Sequence, residues 1–241
     1  IDANLLFTNS EIQLNIKKLD FNYNQFNISN RKDLLLTYSA EDIYFKNVLL
    51  YAADGTLNIN GTFGPTGDHN LIVSIDSLNG KKLTEDILGK FGQKNFDADI
   101  NLKGLVTGNF NDPKFSITAS AKDIMYGESN FGSLHSVFNY ADNTLTTDVR
   151  FLDSTENADL PAMIVTGFVP LMITSSKDSI VINSTKEIDL TIQSDEFDLS
   201  TLKNIMPYVQ FQKGKLETDI YITGTVSKPV AVGYFSINDA R

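Results

Sequence analysis

Apolar residues that recur at every second position constrain this chain more than any other feature. Ile12, Leu14 and Ile16 fall on one side of a zigzag, with Glu11, Gln13, Asn15 and Lys17 on the other. Leu71, Val73 and Ile75 repeat the pattern, as do Ile100 with Leu102 and Phe115 with Ile117. Further along come Leu145, Val149 and Phe151, then Ile188, Leu190 and Ile192, then Leu216, Ile220 and Ile222, and finally Phe235 and Ile237. A period of two places successive side chains on opposite faces of a strand, so each run predicts a strand with one apolar and one polar face. Turn signals separate the runs at Asp54-Gly55, Asn79-Gly80, Asn111-Asp112-Pro113, Asp142-Asn143 and Lys228-Pro229. Strands joined this closely predict antiparallel meanders rather than parallel crossover units.

Two segments depart from the alternation. Over 83–91, Leu83, Ile87 and Leu88 stand at helical spacing, and over 198–208, Leu199, Leu202, Ile205 and Met206 share one helical face. Asp198 or Ser200 supplies an N-cap for the second segment and Pro207 a stop. Both predict short amphipathic helices.

An internal repeat adds order to these elements. Asp99-Ile100-Asn101-Leu102-Lys103-Gly104-Leu105-Val106 lies over Asp219-Ile220-Tyr221-Ile222-Thr223-Gly224-Thr225-Val226, sharing D-I-x-[LI]-x-G-x-V. Each copy follows a predicted helix and leads to a proline, Pro113 or Pro229, then to alternating apolar or small residues and an aspartate, Asp123 or Asp239. A second echo pairs Tyr51–Leu57 with Tyr140–Leu145. Recurrence after about 120 residues predicts stacked β-modules, 1–127 and 128–241, within one continuous segment. Gly104 and Gly224 interrupt strands, where glycine is expected to mark a bulge or a bend.

Composition narrows the chemistry. The chain has 241 residues, no cysteine, two histidines and a formal net charge of −10. Without thiols there is no disulfide, thiolate metal site or cysteine nucleophile. The acidic balance argues against a nucleic-acid partner, which needs clustered Lys and Arg. His69, read as a turn residue, and His135 lack neighbours at metal-ligand spacing, and no G-x-S-x-G or H-E-x-x-H is present. No cofactor and no enzymatic activity are expected. Ile1 opens the sequence, which reads as an internal piece of a longer protein.

The stretches Asn95–Gly127, Phe131–Phe151, Ile188–Pro207 and Gly214–Ala240 resemble the C-terminal region of the TamB family, within the AsmA-like group of bacterial envelope proteins. The resemblance implies a β-taco: a long curled antiparallel sheet forming a U-shaped groove, apolar inside and polar outside. It further implies residence in the periplasm, anchoring to the inner membrane through a segment not in this sequence, and an outer-membrane barrel partner of the TamA type. The function it implies is movement of phospholipid between the membranes and outer-membrane biogenesis, with the alternating apolar residues above lining the groove against phospholipid acyl chains. The same residues also suit two other uses: a scaffold for assembling outer-membrane β-barrel proteins, or a closed β adhesin or stalk.

Overall fold

The computed structural model describes residues 1–8, 10–23, 26–39, 42–64, 68–88, 96–152, 161–174, 179–182, 185–200 and 213–239. In chain order the elements are β1 (Asp2–Phe7), β2 (Glu11–Lys18), β3 (Asp20–Tyr23), β4 (Phe26–Ser29), β5 (Leu34–Ser39), β6 (Asp42–Ala52), β7 (Gly55–Phe63), β8 (His69–Asn79), α1 (Gly80–Leu88), β9 (Phe96–Gly108) and β10 (Pro113–Tyr126). They continue with β11 (Ser129–Asn130), β12 (Ser133–Ala141), β13 (Thr144–Leu152), β14 (Pro161–Thr174), β15 (Ser179–Ile182), β16 (Asp189–Asp198), β17 (Lys215–Thr225) and β18 (Lys228–Asn238). The fold is mainly β, without ladder closure and with almost no helix among the described residues. Two compact units divide the chain, one of Ile1–Gln93 with Asp99–Thr118, the other of Lys94–Ala98 with Ala119–Arg241.

In the first unit the antiparallel ladder runs β1–β2–β5–β6–β7–β8–β9. The β3–β4 hairpin is an insertion between β2 and β5, and β4 continues the pairing along the end of β6 through Ile28 opposite Ala52 and Ser29 opposite Tyr51. Asn30 fastens this insertion. Its carboxamide oxygen accepts from the Leu19 amide at 2.6 Å, and its nitrogen donates to the carbonyls of Ile16, Lys17 and Lys32. One side chain thus satisfies backbone groups that the interrupted ladder leaves unpaired.

Beyond a register shift at the start of β1, between Asp2 and Ala3, two bulges punctuate this ladder. Between Phe45 and Val48, β6 carries one residue more than β7, and between Ile75 and Leu78, β8 carries one more than β9. Asn47 and Ser77 take up the extra length at φ of 51° and 53°. In each case an asparagine on the facing strand accepts the freed amide: Asn60 from Asn47 at 3.3 Å, Asn101 from Ser77 at 2.9 Å. The bulge therefore leaves no orphan donor, and apolar residues on both sides of it keep the same face.

The second unit is a meander, β12–β13–β14–β16–β17–β18, with β11 paired to the end of β10 and β15 to the end of β14. Register shifts here separate Phe151 from Leu152 and Ser194 from Phe197. Two-residue hairpin loops with both residues at positive φ, Ala53-Asp54 and Asp142-Asn143, close β6–β7 and β12–β13, which explains the echo between Tyr51–Leu57 and Tyr140–Leu145. Such loops match the right-handed twist of the strands they join.

Several sequence expectations need correcting. Asn79-Gly80 is not a hairpin turn: the Asn79 carboxamide accepts the Lys82 amide at 2.8 Å and so caps α1, which starts ahead of Leu83. His69 is not in a turn but is the first residue of β8. Gly104 does not mark a bulge, since it pairs regularly with Val73 and a Cβ there would meet only ordinary contacts, the nearest at 3.8 Å. At Gly224 the backbone does leave the ordinary strand region, at φ of 85°, and it does so further at two other strand glycines, Gly61 and Gly167, at φ of 119° and 137°. A Cβ at either would lie 1.9 Å from a carbonyl oxygen of the adjoining strand, Asn70 or Asp189. Only glycine fits such a site. The repeated aspartates also have a backbone role, as Asp123 and Asp239 adopt φ of 52° and 53°, a conformation that Asp tolerates better than most residues.

Candidate functional site

Directly paired residues in an antiparallel ladder project to the same side, so the registers define each face. In the first unit, one row crosses the strands through Leu5, Leu14, Leu36, Phe45, Gly61, Leu71 and Val106. A parallel row runs Val48, Ile59, Val73 and Gly104, and another Leu50, Leu57, Ile75 and Leu102, with Leu78 opposite Ile100 beyond the bulge. Ile12 and Ile16 sit on this face too, opposite Tyr38 and Leu34.

The second unit builds an equivalent face from different strands. Val149, Val165, Ile192 and Ile220 form one row, and Thr147, Gly167, Leu190 and Ile222 the next. Leu145 faces Val169, Phe151 faces Met163, and Leu216 faces Ile237. Ser194 and Thr218 interrupt the face with hydroxyls, but both are buried and turned onto the backbone. Ser194 donates toward the carbonyls of Ala162 (2.7 Å) and Leu216 (3.0 Å), and Thr218 toward that of Tyr234 (3.1 Å). Their polar atoms are thereby satisfied within the sheet.

The degree of burial is informative. Leu34 and Val48 are nearly covered, at 3% and 5% exposure, yet most side chains of these rows are only half-buried. Among the described residues no large side chain is below 2% exposed. Apolar side chains sealed between two packed sheets would be covered more completely. Ile12 and Ile237 are exposed, and Phe235 is 70% exposed on β18.

The registers thus place the residues named from alternation on the apolar faces of their ladders, with three limits. Phe115 and Ile117 are half-buried strand residues of β10 without a register described here, and Ile188 precedes β16, its amide donating to the Gly224 carbonyl at 2.8 Å. Leu83 is a half-buried residue of α1, while Ile87 and Leu88 belong to the same helix with side chains outside the described set. Leu199 is buried beside a capping contact from the Ser200 amide to the Asp198 carboxylate at 2.8 Å, but Leu202, Ile205 and Met206 lie outside the described residues.

Among the strands that alternation missed are β5, β6, β7 and β14. In β14 apolar residues occupy both faces, with Ile164 and Phe168 opposite Gln193 and Asp189 on the far side, so no period of two shows. Nor is the far face uniformly polar, since Ile72, Leu105, Tyr44 and Tyr221 are exposed there. On the far face of the second unit Arg150 forms a two-point bond to Asp148, at 2.8 and 2.9 Å, next to His135 on β12. That hydrogen bond lowers the Asp148 carboxyl below its usual range and raises Arg150; partial burial opposes it at Asp148, and the charges of Arg150 and His135 reinforce it. A hydrogen bond to Asp219 likewise raises the Tyr221 phenol.

At the entrance to β8 a buried His69 stacks on Phe63 at 4.6 Å and meets Phe110 edge-on at 4.8 Å. The three rings form an aromatic cluster, and among the described residues no group of three or more histidines and carboxylates is placed to hold a metal.

These features define a class of protein: an antiparallel β ladder without closure that keeps a broad, half-buried apolar face in each of its units. Comparison with protein-family models, with curated proteins and with solved structures finds no match.

Proposed function

We propose that this chain is a segment of a periplasm-spanning envelope protein that shelters phospholipid acyl chains on an apolar β groove, for transport between the membranes and outer-membrane biogenesis. The observation that carries the reading is the set of largely apolar rows whose side chains are half-buried rather than sealed. An acyl chain laid on such a row replaces water on both surfaces, at ~0.8 kcal/mol per methylene covered. A strand of seven or eight residues spans ~25 Å, comparable to one acyl chain. The TamB-like stretches support a curled groove, inner-membrane anchoring outside this sequence, and a TamA-type barrel partner for the whole protein. Nothing in the work requires bond making, so the role is non-enzymatic.

A second reading has its own observation. β18 exposes Val230, Val232, Tyr234 and Phe235, and such a strand favours adding another strand to its edge. That suits a scaffold for assembling outer-membrane β-barrels.

Photocrosslinking separates the two. Probes replacing Ile100, Ile192 or Ile220 should capture lipid, identified by mass spectrometry of gently purified protein, while probes at Lys103 or Gln193 on the far face should not. Lipid captured only from the far face, or polypeptide captured in place of lipid, would overturn the groove reading.

A further inference from the structure

The first unit holds a cleft of about 510 Å³ that the apolar rows do not explain. It lies where the β3–β4 insertion, the β6–β7 hairpin and α1 meet, and Asn27, Ser29, Arg31, Tyr51, Asp54 and Lys82 are among its lining. Tyr51 and Ser29 pair directly and face away from the apolar rows, since their neighbours Ala52 and Ile28 continue those rows. The cleft therefore opens at the hairpin end of the ladder, on the far side of the sheet.

Its chemistry is specific. Arg31 directly follows Asn30, the side chain that fastens the insertion through four backbone contacts. The guanidinium lies over the Tyr51 ring, 4.0 Å from its centroid. That stacking holds the plane while leaving the N–H edge uncommitted, for no carboxylate pairs with Arg31 among the described residues. The Ser29 hydroxyl is likewise not engaged in a side-chain bond among those residues. Lys82, on the first turn of α1, is paired with Asp54 Oδ1 at 2.5 Å, which fixes the ammonium and leaves Oδ2 without a described partner. Asp20, opposite Ser29 on β3, accepts the amides of Asn22 and Asn27 through a single oxygen, Oδ1. In a chain of net charge −10, two cations and a hydroxyl line this cleft together with the Asp54 carboxylate.

We propose that this cleft binds a phosphate ester that carries a primary amine. A planar guanidinium edge matches two phosphate oxygens, an ammonium supplies a point charge to a third, and a hydroxyl adds a donor. Asp54 Oδ2 then receives the amine. The inference deepens the lipid reading and rests on it only for the source of the ligand, an aminophospholipid headgroup rather than a free metabolite.

The test is an amide-resolved NMR titration of the full chain with phosphoethanolamine, inorganic phosphate, and dihexanoyl phosphatidylethanolamine below its micelle concentration. Phosphoethanolamine should shift the amides of Ser29, Asp54, Gly55 and Lys82, with inorganic phosphate weaker. Arg31→Ala should weaken binding by at least about tenfold, and Arg31→Lys should restore only part of it, because charge without the fork is retained. Arg31 is exposed in a loop, so unchanged spectra elsewhere certify folding of the variants. Absence of shifts with phosphoethanolamine, or equal binding by Arg31→Ala, overturns the proposal. Equal affinity for inorganic phosphate overturns the amine contact assigned to Asp54. The short-chain lipid should shift the cleft together with Leu36 and Val48 on the apolar face. If it shifts the cleft alone, the groove reading fails while the cleft stands; if it shifts the apolar face alone, the cleft fails while the groove stands.

Discussion

Replacing Gly61 by alanine tests the backbone geometry at a single atom. The added Cβ would stand 1.9 Å from the Asn70 carbonyl oxygen, against the 3.4 Å or more of an ordinary contact, so about 1.5 Å has to be opened in a paired strand. The backbone at φ of 119° is also one that an L side chain disfavours. Strain at such a position costs ~1–3 kcal/mol, and disturbing the Asn70 ladder contact adds ~0.5–1.5 kcal/mol. Against this, alanine narrows the unfolded ensemble and returns ~0.4–1 kcal/mol. The net expectation is a loss of ~2–3 kcal/mol, which at a urea dependence of ~2 kcal/mol per molar lowers the unfolding midpoint by about 1–1.5 M. Urea titration followed by far-ultraviolet circular dichroism reads this directly. Gly104→Ala is the matched control: its nearest contact would be 3.8 Å and its φ is not positive, so its midpoint should hold or rise slightly. Equal midpoints for the two variants would refute the reasoning.

Two further outcomes concern a bulge residue and an ion pair. At Ser77, with φ of 53°, valine should cost ~1–2 kcal/mol in the same titration whereas glycine should not, because the bulge needs a left-handed residue and a β-branched one resists it. Asp148, whose folded pKa lies below its unfolded value, contributes stability that is complete above the unfolded value and is lost as pH falls through the folded one. The pair is largely exposed, so the effect is small and screened; Asp148→Asn should lower the thermal midpoint slightly at neutral pH, with the difference vanishing in strong acid and shrinking in molar salt.

The strands that sequence periodicity revealed are those with an unbroken alternation and one wet face, such as β2, β13 and β17. β6 escaped because its apolar positions change parity: Ile43 and Phe45 are followed by Val48 and Leu50, and the extra Asn47 that reconciles them is visible only once β7 is laid beside it. β14 escaped for the opposite reason, since Met163 and Val165 on one face and Ile164 and Phe168 on the other erase the contrast that alternation depends on. Asn79-Gly80 has the composition of a hairpin turn and of a helix cap alike, and only the Lys82 amide distinguishes them. The cleft was not legible at all. Arg31, Tyr51 and Lys82 are far apart in the chain, and it takes the Asn30-fastened insertion and the α1 start to bring them to one place.

The bulges also decide where the gene can lose or gain a codon. Within a regular strand, an in-frame deletion of one residue inverts every later side chain relative to the neighbouring strand. Removing Leu49, for instance, would carry Tyr51 into the apolar row and send Leu50 out of it. Removing Asn47 would do neither, because Phe45, Lys46 and Val48 would then alternate without interruption against Gly61, Asn60 and Ile59. The bulges at Asn47 and Ser77 are therefore points of tolerance to single-residue deletion, where a regular strand is intolerant of it.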